Sequence, residues 1–169
     1  MKKLFLSLLL VLPLCGFAQK GMQGVGGGLG FGLCYDGDCS IYDFSIKYQN
    51  NLTNRIRIVP YLEYISAIEY NGSRWVYDCG LSFHYFLNNV RRFRPYVIAG
   101  FSVGAYERVY LVSGWEEWEG SPFGGFEFGV GFDYRLSYHC SFQMEIMGLV
   151  ATTSDVFSFG PNIGLAYTF

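Results

Sequence analysis

The sequence predicts an all-β fold, an eight-stranded antiparallel up-and-down β-barrel. Two observations carry that expectation. Apolar and polar residues alternate with period two along nearly the whole chain beyond residue 22, and no helical periodicity competes after the leader. The composition also fits strands with one crowded and one uncrowded face, since there are 22 glycines against 5 prolines and 20% of the residues are aromatic.

The leader comes first. Lys2 and Lys3 precede an apolar run from Leu4 to Leu14, and Gly16-Phe17-Ala18 puts small residues at the two positions a signal peptidase needs. The expected organisation is a signal peptide over residues 1–18, cleaved before Gln19, and a barrel domain over residues 19–169. At roughly 11 residues the apolar run is too short for a helical span, which takes about 20. Cys15 is not read as a lipidation site, because Leu14 before it is too large. The chain carries 12 basic and 14 acidic side chains, and removing Lys2 and Lys3 leaves 10 against 14. That mild acidity gives no reason to expect nucleic acid, and the length suits one domain.

The mature chain divides into segments of roughly 10 to 12 residues, the length a tilted strand needs to cross a membrane. They are placed at 23–34, 39–50, 55–66, 74–86, 94–106, 122–135, 140–150 and 157–169. In the second, Tyr42, Phe44, Ile46 and Tyr48 alternate with Asp43, Ser45, Lys47 and Gln49. In the sixth, Phe126, Phe128, Val130, Phe132 and Tyr134 alternate with Glu127, Gly129, Gly131, Asp133 and Arg135. Pro60 and Pro161 fall inside segments, and each should break a ladder bond or mark a bulge.

Period two alone does not say which face points outward. Volume decides it: the interior of an eight-stranded barrel is just wide enough for side chains to fill, and the apolar faces here are far too bulky for that space. The polar faces carry the small residues, beginning with Gly24, Gly26, Gly28, Gly30 and Gly32. The apolar faces must then meet lipid, which makes this a transmembrane barrel. Tyr48, Tyr85, Tyr134, Tyr167 and Phe169 gather at the end near the termini, and Tyr42, Tyr64, Trp75 and Tyr77 at the other, as two interfacial girdles.

An even strand number puts both termini on one side, expected to be periplasmic, with short connections at 50–54, 87–92 and 136–139. At the far side Asp36-Gly37, Asn71-Gly72 and Ser113-Gly114 read as hairpin turns. Residues 107–121, with Trp115-Glu116-Glu117-Trp118-Glu119 near the tip, are expected to protrude from the bilayer and could meet an extracellular protein partner. Cys34 and Cys39 would face each other across the first turn, where an oxidising envelope favours a disulfide. Cys79 and Cys140 lie on strands that are not neighbours and should stay free. No spacing of Cys and His suggests a metal site, and Asp36 and Asp38 read as turn chemistry. No cofactor is implied, because the glycine-rich stretch at 24–32 has period two and neither a lysine-threonine nor a helix follows it.

The inward charges are Asp43, Glu63, Asp78, Glu127, Asp133 and Glu145 against Lys47, Arg57 and Arg135, with His84 beside them. Buried charges need partners, so these are expected to form an interior polar network that plugs the barrel and leaves no large pore. An enzyme is not expected. His139, Ser141 and Glu145 share the inward parity, but the first two sit at the periplasmic rim, away from lipid in the membrane plane.

Segments such as Arg94-Pro95-Tyr96-Val97-Ile98-Ala99-Gly100 and Phe126-Glu127-Phe128-Gly129-Val130-Gly131-Phe132-Asp133-Tyr134 resemble the strands of the OmpA/OmpX-like family of small outer-membrane barrels. The end of the chain, where Ile163, Leu165, Tyr167 and Phe169 alternate with Gly164, Ala166 and Thr168, resembles the terminal signature read by the outer-membrane barrel assembly machinery. The resemblance implies an integral, non-enzymatic barrel among outer-membrane lipid and lipopolysaccharide, serving envelope integrity or surface interaction. A lipid A-modifying barrel enzyme and an adhesin acting through 107–121 are its alternatives.

Overall fold

The computed structural model describes residues 23–33, 39–69, 72–88, 92–112, 115–152 and 157–169. Eight strands follow one another in chain order. They are β1 (Gln23–Leu33), β2 (Cys39–Asn51), β3 (Ile56–Glu69), β4 (Gly72–Phe86), β5 (Phe93–Val112), β6 (Trp115–Arg135), β7 (Cys140–Ala151) and β8 (Phe157–Thr168). Each pairs antiparallel with the next, and β1 pairs with β8, so the sheet closes into the expected barrel. Closure leaves no edge within the barrel wall, which is what lets a sheet lie in lipid with its backbone groups paired.

Alternation does what the volumes require. Val25, Leu29, Phe44, Leu62, Phe101, Phe126, Val130 and Leu165 all point outward and are exposed, Phe126 to 68% and Leu62 to 60%. Across the ladders they sit side by side, as with Leu29, Phe44 and Tyr64, or Leu81, Phe101 and Phe126. The inward positions of β1 are all glycine, and this has a steric reason. A Cβ on Gly30 would fall 1.8 Å from Oδ2 of Asp43, so the bare backbone makes room for a carboxylate reaching across from β2.

The two prolines break the ladder and produce no bulge. On β2–β3 the pairing runs from Cys39↔Glu69 to Lys47↔Tyr61 and resumes at Asn50↔Ile58 with the register unchanged, so the gap lies opposite Pro60. On β1–β8 it lapses between Gly30↔Asn162 and Leu33↔Phe159, opposite Pro161, while β7–β8 continues through Ile146↔Pro161. A strand residue points its N–H at one neighbour only, so a missing N–H should interrupt one side and spare the other.

At the end near the termini the connections are tight. Thr53 Oγ1 accepts from the amides of Arg55 and Ile56, and Ser137 Oγ accepts from that of Cys140. At the opposite end one expectation is corrected: Gly72 already pairs with Glu69 and belongs to the β3–β4 ladder, not to the turn. The β5–β6 ladder runs on to Val112↔Trp115, whereas β7 leaves β6 at Gly125↔Ala151. The stretch read as a protruding hairpin is therefore a continuation of both strands, and among the described residues β6 above Gly124 is paired on its β5 side alone.

Candidate functional site

The lumen is filled by side chains that cross it. Lys47 on β2 forms an ion pair with Glu145 on β7, and Tyr96 on β5 donates its hydroxyl to the same carboxylate at 2.8 Å. Arg57 on β3 pairs with Asp133 on β6 at 2.5 Å. Gln49 donates to Gln143 at 2.8 Å, and Gln143 donates on to Asp133 at 2.6 Å, so one polar chain joins β2, β7, β6 and β3. None of these partners lies on adjacent strands except Gln143 and Asp133. The other bonds therefore span the interior, and only that from Gln143 to Asp133 runs along the wall.

Toward the far end the network thins. Asp43 accepts from Asn162 Nδ2 at 2.7 Å, and Glu127 accepts from Ser82 Oγ at 3.2 Å. Glu63 and Asp78 face each other across the β3–β4 ladder. Asp43, Glu63 and Glu127 border a cavity of about 40 Å³, with room for a few water molecules and no more. Beyond it the inward positions turn apolar: Ile41, Ile65, Ala67, Val76, Tyr106, Phe123 and Leu149 form one buried cluster that caps the lumen. Period two did not reveal this cap, because its members share the parity of the polar residues below them and only their depth distinguishes them.

His84 is buried and stacks on Tyr96 with ring centroids 4.6 Å apart. Arg135 is half-buried at the mouth near the termini, together with Arg94, which the inventory of inward charges did not include. Tyr96, Gln143 and Asn162 join the network without having been expected in it, although their inward parity was readable, and Gln49, placed on the polar face of its strand, joins it as well. His139 corrects an expectation. It is exposed, its Nδ1 donates to the Thr168 carbonyl at 2.8 Å, and its ring stacks on outward Tyr167, so it does not point into the lumen with Ser141 and Glu145. It belongs to a turn, where strand parity does not apply. Tyr167 and Phe169 lie on the outer surface, and the Phe169 amide donates to Gln23 O at 2.9 Å.

The disulfide expected between Cys34 and Cys39 concerns a cysteine outside the described residues; the β1–β2 ladder leading to it ends at Leu33↔Ser40. Cys79 and Cys140 are free thiols on the exposed surface. Among the described residues no three His, Cys, Asp or Glu side chains group as a metal site would require.

No protein-family profile matches the chain, and no curated protein is similar to it in sequence. Solved structures are similar in fold. Neisserial surface protein A (NspA) superposes with a TM-score of 0.64 at 15% identity, covering 88% of this chain and 97% of that one. Ail, the attachment invasion locus protein of Yersinia pestis, gives 0.62 at 15% identity over 89% of this chain and 100% of its own. The N-terminal β-barrel domain of Pseudomonas aeruginosa OprF gives 0.58 at 16%, again over 89% and 100%. The chain thus has the fold of the small outer-membrane β-barrels, the class its strands resemble.

Proposed function

We propose that the chain is an integral outer-membrane barrel with periplasmic termini and no catalytic activity, released from a signal peptide over residues 1–18, whose closed wall contributes to envelope integrity. One observation carries this reading. An apolar belt surrounds a closed barrel whose lumen is crossed by Lys47–Glu145 and Arg57–Asp133. A wall of that kind is stable in lipid and offers solutes no open path. The purified chain should change electrophoretic mobility on boiling and give no large, stable conductance steps in planar bilayers. Large steps would mean that the interior polar network is not a plug.

The tall β5–β6 hairpin favours a second reading, in which the barrel meets an extracellular protein. Its outer part carries Glu107, Glu116, Glu117 and Glu119, and among the described residues the β6 edge above Gly124 has no strand pairing on its β7 side. Replacing residues 107–121 by a short Asn-Gly turn separates the two roles. Lost binding with normal detergent resistance assigns the hairpin to adhesion, and lost resistance assigns it to the envelope.

A further inference from the structure

The mouth of the barrel nearest the termini carries a concentration of arginine that the ion pairs above it do not neutralise. Arg57, Arg94 and Arg135 line one pocket there, and Asp133 is the sole carboxylate among its lining residues. That carboxylate is already shared by Arg57 and Gln143. Arg57 donates through Nε to Asn51 and through Nη2 to Asp133, yet its buried Nη1 finds no acceptor. Neither Arg94 nor Arg135 forms an ion pair among the described residues. Arg94 lies over the face of buried Phe86 at 3.8 Å, with Arg57 4.7 Å from the same ring. The ring orients two guanidinium groups without cancelling their charge.

Three cations against one anion leave the pocket with two uncompensated positive charges. Guanidinium groups present donors in a planar fork that matches an oxyanion. Ser141 and Thr168 are among the other residues that line the pocket. The cavity is about 30 Å³ and opens at the mouth, so it takes one face of a small oxyanion and excludes a folded partner. A phosphate group fits all of this, since near neutral pH it carries a charge of about −1.5 to −2, whereas a carboxylate supplies half as much.

We infer that this mouth is a binding site for a phosphate group, borne by a small solute or by a lipid headgroup at the adjacent membrane surface. The site goes beyond the role proposed above and does not depend on it. Inorganic phosphate titrated calorimetrically into the folded barrel in detergent micelles, in chloride buffer near neutral pH, should bind saturably. It should bind at least about tenfold more tightly than acetate, whose single charge leaves the pocket half neutralised. The R94Q/R135Q double variant, or R135Q alone if the double variant does not fold, should weaken phosphate at least about tenfold. R55Q removes an arginine that donates to Tyr85 outside the pocket and should leave binding unchanged. Dihexanoyl phosphatidic acid, whose headgroup is a phosphomonoester with the same two ionisations, decides the source: tighter binding than phosphate, lost with the same arginines, assigns the headgroup, and weaker binding assigns the solute. No saturable binding of either probe, acetate binding equal to phosphate, or phosphate affinity untouched in the folded variants overturns the site. Heat-dependent mobility is read for each protein separately, so failure to form the barrel is distinguished from failure of the site.

Discussion

Glu145 is 1% exposed and accepts from both Lys47 and Tyr96, which makes it the point where the strands of the lumen are tied together. Removing it leaves an ammonium ion buried without its counter-charge. Glu145→Leu should therefore cost about 3–5 kcal/mol, while Lys47→Met combined with Glu145→Leu should be much less harmful, because an apolar pair of similar volume avoids burying a lone charge. Urea unfolding in lipid vesicles measures both, and equal losses would show that the ion pair is not the unit of stability. Phe169 behaves differently, since it is 62% exposed and is held by a backbone hydrogen bond to Gln23. If it is an assembly signal, its deletion should reduce heat-modifiable barrel in cell envelopes while refolding in detergent proceeds normally. Poor refolding in detergent would instead make it a stability residue.

Among the elements, β3 holds the clearest local defect. Pro60 points outward into the belt, and the ladder to β2 lapses opposite it with no change of register. A residue with an amide can close that gap without moving any neighbour. Pro60→Val should raise stability by about 0.5–1.5 kcal/mol, the usual net contribution of one hydrogen bond, seen as a higher urea midpoint at unchanged slope. A lower midpoint would mean that the break is needed for curvature of the wall. The strands themselves were legible because one face of every strand meets a different solvent from the other, and that constraint writes period two into the sequence. It fails where the constraint fails. His139 swings outward in a turn, Gly72 joins a ladder that its turn-like dipeptide concealed, and the apolar cap at Ile41, Ile65 and Phe123 follows depth along the axis, which parity does not encode. The charges at Lys47, Glu145, Arg57 and Asp133 were readable as inward, but their pairing was not, since it depends on which strands face each other across the closed barrel.

For the whole molecule, the decisive property is the solvent of the outer surface. Phe101 lies between the two aromatic girdles, flanked by Leu81 and Phe126, and is 50% exposed. Phe93 belongs to the same outward face of β5 but sits beside Tyr134, at the level of the girdle near the termini. Lipid and water treat a cation at these two depths differently. In a bilayer, arginine at the midplane costs about 2–4 kcal/mol and near the interface about 0–1 kcal/mol, because the guanidinium group can reach the headgroups only from the latter position. Phe101→Arg should accordingly lower the unfolding free energy in vesicles by the larger amount and Phe93→Arg by the smaller, with the lumen network intact in both. If the exposed faces met water, the two substitutions would have similar small effects and both would improve solubility without detergent. The difference between the two variants thus measures directly whether Phe101 is in contact with acyl chains, and an absent difference would remove the barrel from the membrane.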